Sequence, residues 1–260
     1  MCRLLAYLGK QIPLYPLLYQ PQHSLVVQSY QPREMISGVV NADGFGVGWY
    51  GSDGEAFSYR HTIPIWNDVN LPGLSRFIQS NCLLAYVRSA TPGQALDLSN
   101  SQPFNYKNLL FIHNGRIDNF RQKLYRKIRA TLSNEIYSWI GGSTDSEHIL
   151  ALILNYLQAN PDWSVETALH STLLDLQAWA EECQTNAQIN VVISDGQELV
   201  AARYTTNPPA PSLYWIQHTE EFPNSVIVAS EPLFRGDWQS FSENSIIRLG
   251  DKCDIRSQTV

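Results

Sequence analysis

Residues Ile189–Tyr204 read INVVISDGQELVAARY, two apolar, β-prone runs on either side of Asp195-Gly196. Asp-Gly tolerates the positive φ of a tight hairpin turn, so this spacing predicts two antiparallel strands. Further along, LYWIQH (Leu213–His218), SVIVAS (Ser225–Ser230) and SIIRL (Ser245–Leu249) have the same short, β-prone character. Upstream the pattern changes to helix. SVETALHSTLLDLQAWAEEC starts at Ser164, a good N-cap. TDSEHILALILNYLQA carries Thr144 and Glu147 at capping-box spacing, with Asp145 in the first turn, where a negative charge suits the helix dipole. DNFRQKLYRKIRATL (Asp118–Leu132) is expected to form a single helix. Before these helices come strands again. VVNADGFGVGWY (Val39–Tyr50) runs to a turn at Ser52-Asp53-Gly54 and then EAFSY, followed by LLAYVR (Leu83–Arg88) and NLLFIH (Asn108–His113). A helical middle flanked by hairpins is not the strand–helix alternation of a doubly wound parallel sheet. It predicts an α+β fold with largely antiparallel sheets.

Composition narrows the function. The chain has 260 residues, 18 Lys plus Arg against 24 Asp plus Glu, and a formal net charge of −6, which argues against general nucleic-acid binding. The densest basic stretch, Arg121–Arg129, is expected to be a solvated helix face. Cys2, Cys82, Cys183 and Cys253 form no CxxC pair, which argues against a disulfide scaffold or a zinc site. The N-terminus has no long apolar run with a signal cleavage site. The apolar run ILALILNYL is too short for the ~18 residues of a membrane span. A soluble, cytoplasmic protein with no metal, nucleotide or redox cofactor and no membrane partner is expected.

Several residues have the chemistry of a site. Trimming of Met1 would place Cys2 at the N-terminus and give one residue both a thiol and an α-amine. The amine's reference pKa of about 7.7–8.0 suits proton transfer near neutrality. In FIHNGRIDNF (Phe111–Phe120) a strand is expected to end at His113 and the chain to turn at Asn114-Gly115. Those two residues would offer a side-chain amide and a bare backbone N–H, donors suited to an oxyanion. Arg88, leaving an apolar strand, could grip a carboxylate in bidentate fashion. Asp145 could hold an ammonium group. Each also has a plainer role: chance cysteine, ordinary Asn-Gly turn, strand-end ion pair, dipole complement. Gly44, Gly46 and Gly48 alternate along a strand instead of opening a helix, so close backbone approach is expected there, not dinucleotide binding. His148 is expected to be structural.

Cys2, Arg88-Ser89-Ala90-Thr91, His113-Asn114-Gly115-x-Ile117-x-Asn119-Phe120 and Thr144-Asp145-Ser146-Glu147, in that order and rough spacing, resemble the class II glutamine amidotransferases, which have an N-terminal nucleophile (Ntn). The resemblance covers nearly the whole chain, read as a single domain over 1–260. MCRLLAYLG, HSLVVQSYQPRE, NADGFGVGWY and ASEPLF (Ala229–Phe234) are most similar to stand-alone members, in particular the γ-glutamyl amidohydrolases of ergothioneine biosynthesis. The resemblance implies a four-layer αββα sandwich of two mostly antiparallel sheets. It further implies Cys2 as nucleophile with its α-amine as base, and Asn114 and Gly115 as the oxyanion hole. Arg88 and Asp145 would bind the α-carboxylate and α-ammonium of a small γ-glutamyl substrate, with Thr91 and Gly115 bordering the pocket. Asp43 and Gly46 are expected to be structural. Many relatives have a histidine where this chain has Gln102, so Gln102 is given no role. Two other functions fit the same residues: a glutaminase subunit supplying ammonia to a partner synthase chain, and an inactive Ntn-fold binding module. A homodimer is also compatible.

Overall fold

The Asp195-Gly196 hairpin forms as its sequence predicts. Strands Ala187–Ser194 and Glu198–Thr205 pair antiparallel, with Gly196 at φ +91° in the turn. The computed structural model describes residues 2–36, 38–91, 93–250 and 255–260, so Met1 and Cys253 lie outside it. In chain order its strands are β1 (Arg3–Pro13), β2 (Phe45–Tyr50), β3 (Ala56–His61), β4 (Gln79–Val87), β5 (Phe104–Tyr106), β6 (Leu109–Ile117), β7 (Ala187–Ser194), β8 (Glu198–Thr205), β9 (Tyr214–Gln217), β10 (Val226–Ala229), β11 (Gln239–Ser240), β12 (Ser245–Gly250) and β13 (Ile255–Thr259). Its helices are α1 (Tyr15–Leu18), α2 (Leu25–Tyr30), α3 (Leu71–Phe77), α4 (Phe120–Lys123), α5 (Tyr125–Thr131), α6 (Asn134–Trp139), α7 (Asp145–Ala159) and α8 (Val165–Glu182).

The strands form a seven-stranded sheet, β11-β9-β10-β1-β4-β2-β3, and a six-stranded sheet, β13-β12-β8-β7-β6-β5, antiparallel throughout. Helices α1–α3 cover the outer face of the first sheet over Leu5, Tyr7, Phe45 and Leu83. The two inner faces meet through Leu4, Leu84, Leu110, Val192 and Leu199. The remaining helices cover the second sheet over Phe111, Ile189 and Ile193. This is the expected αββα sandwich. Helix α7 buries six consecutive apolar residues, Ile149–Leu154, because sheet and neighbouring helices enclose it. Each large side chain buried there contributes about 1.5–3 kcal/mol.

One strand was missed, and three local expectations are corrected. β1, central in its sheet, was not legible: RLLAYL is buried on both faces and shows no alternation. Val39–Gly44 is not strand; Val39 is exposed, and β2 begins only after Gly44 at φ +125°. The helix expected over Asp118–Leu132 is two helices, broken at Leu124 (φ −112°), so that Phe120, Leu124 and Ile128 all reach the core. The capping box is half formed. Thr144 accepts from Glu147 N–H at 3.2 Å, but the Glu147 carboxylate accepts from Gly141 and Gly142 N–H at 2.9 and 2.7 Å. Ser164 caps α8 as expected. The basic stretch faces outward in part: Lys127 pairs with Glu182, while Arg129 donates to the buried His148. His148 is structural, its ring also on the Thr144 carbonyl at 2.7 Å; burial lowers its pKa to about 4. At Gly46 a Cβ would overlap the Gln102 carbonyl, the close approach expected for that strand.

Candidate active site

Strand alternation decides which side chains meet. On β1, Leu4, Ala6 and Leu8 face the inter-sheet layer, and Cys2 joins them one residue before the strand. On β4, Cys82, Leu84 and Tyr86 face the same layer, and Arg88 follows just past its end. On β6, Leu110 and Ile112 face it from the other sheet, and Asn114 is next in that series. Ser230, just past β10, ties the sheets together at this edge. Its hydroxyl accepts from Leu4 N–H at 3.0 Å and from the Asn114 amide at 3.5 Å. Cys2, Tyr86, Arg88 and Asn114 therefore gather at one edge of the sandwich.

The Cys2 side chain is 8% exposed. Its sulfur accepts from Ser89 N–H at 3.3 Å and lies 3.4 Å from the Ser89 carbonyl. Burial, then the adjacent Cys2, pushes the Tyr86 hydroxyl well above the ordinary phenol range. Tyr86 therefore stays protonated beside the sulfur. Ser89 and Ala90 are held by Asp43: its backbone N–H donates to the Arg88 carbonyl at 3.0 Å, and its carboxylate accepts from Ala90 N–H at 2.8 Å. Asp43 is structural, as expected.

The expected turn at Asn114-Gly115 is instead strand. β6 continues to Ile117, with Asn114 opposite Asn190 and Gly115 opposite Ile189. The consequence for Gly115 follows from its neighbours. His113 N–H points away from β7 and donates to Gln102 Oε1 at 2.5 Å, while Gln102 Nε2 donates to the His113 carbonyl at 3.1 Å. Ile117 N–H donates to Asp145 Oδ2 at 2.8 Å. N–H groups two apart in a strand point to the same side, so Gly115 N–H lies on this edge, between a glutamine and an aspartate. β5 pairs only with Leu109–Phe111 and leaves that edge open. Gly115 N–H is thus the donor that this strand edge leaves uncovered. Gly115 must be glycine, because a Cβ would overlap the Gln188 carbonyl. Gln102 stands in for a missing strand, a role no local sequence signal reveals.

A cleft of about 360 Å³ opens beside this edge, lined by Thr91, Gln94, Arg116, Ile117, Asn119 and Asp145 among others. Thr91 and Asp145 line it, whereas Cys2, Asn114 and Gly115 are not in its lining. Arg88 reaches it indirectly: its guanidinium donates at 3.3 Å to Gln94 Oε1 and to the Ala95 carbonyl. Besides Ile117 N–H, Asp145 accepts from Ser146 N–H at 2.8 Å. Ser146 Oγ also lies 3.4 Å from the same oxygen, Oδ1, so the spare acceptor capacity is on Oδ2. His113 points to the helical side, onto Ser146 Oγ at 2.8 Å, and burial lowers its pKa. It faces away from Cys2 and is not its base. Sequence reasoning missed Tyr86, Gln102 and Ser230. Of these only Tyr86 had a signal, two residues before Arg88 on the same face of LLAYVR.

A model of the class II glutamine amidotransferases matches residues 1–218. The chain belongs to that family. It is 31% identical to a gamma-glutamyl-hercynylcysteine sulfoxide hydrolase of Mycolicibacterium smegmatis, over 96% of each chain. A Saccharomyces cerevisiae protein named "Probable glutamine amidotransferase" is also 31% identical, over 96% of this chain and 82% of that one. Among solved structures, a glutamine aminotransferase class-II domain protein from Silicibacter pomeroyi matches with a TM-score of 0.72 at 25% identity, covering 99% of this chain and 98% of that one. The glutamine phosphoribosylpyrophosphate amidotransferase of B. subtilis shares the fold, with a TM-score of 0.68 at 17% identity; 99% of this chain covers 49% of that one. Membership in this amidotransferase family makes the chain an enzyme with the Ntn-type αββα fold. Among the described residues, no helix is long and apolar enough to cross a membrane.

Proposed function

We propose that residues 1–260 act as one catalytic domain that hydrolyses a γ-glutamyl amide through a thioester on Cys2. One observation carries this reading: a cysteine sulfur, an asparagine amide and an uncovered strand-edge N–H converge on one edge of the sandwich. Removal of Met1 frees the Cys2 α-amine. The amine takes the thiol proton, and the sulfur adds to the γ-carbonyl carbon. Gly115 N–H and the Asn114 amide hold the resulting oxyanion. The C–N bond breaks as the amine passes its proton to the departing nitrogen. Water then adds to the thioester, releases glutamate and restores the thiol. Asp145 in the cleft holds the α-ammonium. The α-carboxylate displaces Gln94 and Ala95 from Arg88 and takes a bidentate pair.

The substrate we propose is γ-glutamyl-hercynylcysteine sulfoxide, an intermediate of ergothioneine biosynthesis. Support comes from the mycobacterial relative of that name, alike over 96% of both chains. The test has two parts. Intact mass after incubation with a diazo-ketone analogue of glutamine should show loss of Met1 and one adduct, mapping to Cys2. Turnover should then be faster on the bulky γ-glutamyl conjugate than on glutamine. Faster turnover of glutamine would instead favour an ammonia-supplying subunit. A processed chain with neither adduct nor turnover would overturn the catalytic reading.

A further inference from the structure

A chain end frays unless it is tied down, and a nucleophile on the first residue would fray with it. Cys2 lies one residue before β1, past the first β1–β4 pair, Arg3 with Val87. Its carbonyl is held from within the chain: Arg3 Nη1 donates to it at 2.8 Å. Arg3 is fully buried on the outer face of the sheet, away from the sulfur, and a buried guanidinium requires a counter-charge. Glu231 supplies it, with Oε1 2.7 Å from Arg3 Nε. Glu231 is itself fixed by His23 Nε2 at 2.6 Å and by Arg33 and Glu34 N–H at 2.9 and 3.0 Å.

The residue before it grips the next part of β1. Ser230 N–H donates to the Leu4 carbonyl at 3.0 Å, and its hydroxyl accepts from Leu4 N–H and the Asn114 amide. Ala229 pairs with Leu5. Three consecutive residues therefore hold Leu5, Leu4 and, through Arg3, Cys2, and the middle one also holds Asn114.

We propose that Ser230 and Glu231 are positioning residues that fix the N-terminal nucleophile and the Asn114 amide relative to each other. The proposal rests on the thioester reading above. Neither residue touches the reacting atoms: Glu231 acts through Arg3, and Ser230 through Leu4 and Asn114. Their substitution therefore disturbs the chemical step more than substrate binding.

The test compares kcat, KM and Tm of variants against a wild type whose Cys2 adduct has been mapped. Glu231→Gln keeps the shape and one acceptor oxygen but removes the charge; it should lower kcat about 10–100-fold, with KM changed little. Ser230→Ala should lower kcat in the same sense, and Ser230→Thr, which keeps the hydroxyl, should recover most of it. The double variant Arg3→Met with Glu231→Gln removes both buried charges and should recover Tm, yet kcat should stay low because the Cys2 carbonyl has lost its donor. It also decides the matter if Glu231→Gln alone fails to fold. Recovery of kcat together with Tm in the double variant would overturn the proposal, as would wild-type kcat in both Ser230→Ala and Glu231→Gln. A wild type that takes no adduct at Cys2 overturns the thioester reading and this proposal with it; an adduct alongside unaffected variants overturns this proposal alone.

Discussion

Cys2 and Cys82 face the same inter-sheet layer from neighbouring strands, β1 and β4. Cys82 sits opposite Leu8, inside the layer and fully buried, with its sulfur 3.2 Å from Ser194 Oγ. Burial pushes its thiol up to about 12. Cys2 sits at the rim, with Ser89 N–H on its sulfur, Tyr86 on the same face of β4 and the open edge of β6 nearby. The residue type and the layer are shared; the surroundings are not. Desolvation deprives a fully enclosed thiol such as Cys82 of its nucleophilic form. The position along the strand, six residues apart on β1 between Cys2 and the partner of Cys82, makes the difference.

The widest gap between the two cysteines should appear in chemistry. Cys2→Ala should abolish γ-glutamyl hydrolysis, a loss of roughly 10⁴-fold or more, with an unchanged fold by circular dichroism. In the native wild type at pH 8, burial keeps the Cys82 thiol protonated, so iodoacetamide should leave it unlabelled while Cys2 reacts. Peptide mapping reads both, with the half-buried Cys183 as an internal reference. Labelling of Cys82 at the rate of Cys183 would break the comparison. Next in size is Asn114→Ala. Loss of one oxyanion donor costs about 2.7–4 kcal/mol of barrier, or roughly 10²–10³ in kcat. A kcat within a few-fold of wild type would remove Asn114 from the oxyanion hole.

How much of this could be read from the sequence differs between the regions. The β7–β8 hairpin and helices α7 and α8 were legible because Asp195-Gly196, Thr144 and Ser164 act on their nearest neighbours. β1 was not, since a strand buried on both faces carries no alternation. Cys2, Arg88 and Asp145 stood out by residue type, and Thr91 by resemblance. Asn114-Gly115 was misread because local chemistry favours a turn there. Long-range partners decide otherwise: β7 on one side, Gln102 and Asp145 on the other, hold the pair extended. Ser230 lies 226 positions from Leu4, and no local pattern links them. The cysteine proposed as nucleophile was visible in the sequence; what holds it in place was not.

The two regions should also differ in acid. Burial alone would raise the Glu231 carboxyl, but hydrogen bonds from His23, Arg33 N–H and Glu34 N–H and the charge of Arg3 hold it at about 2, against an ordinary 4.5. Lowering a carboxyl's pKa on folding adds stability that is complete above the unfolded value and lost as pH falls through the folded one. The contribution is therefore full above about pH 4.5 and disappears toward pH 2, with an upper bound of about 3 kcal/mol. Urea unfolding of wild type and Glu231→Gln should show a stability gap that narrows as pH drops across that window. A gap that does not change with pH would mean the carboxylate contributes shape alone.

The smallest expected effect is on the inert side of the comparison. Cys82→Ala removes one sulfur from the inter-sheet layer. Its partner Ser194 loses little, because its hydroxyl still donates to the Glu198 carbonyl at 2.7 Å and accepts from Gly196 N–H at 3.0 Å. What remains is a cavity of about one atom, worth on the order of 1 kcal/mol. For a chain of this length that is a fall in Tm of about 2–4 °C. The rim should stay as it was, since Cys82 lies opposite Leu8, six residues from Cys2. Turnover and KM should match wild type while Tm falls. A tenfold loss of kcat with only that small fall in Tm would show that the interior of the layer and its rim are mechanically coupled, and would end the separation of the two cysteines.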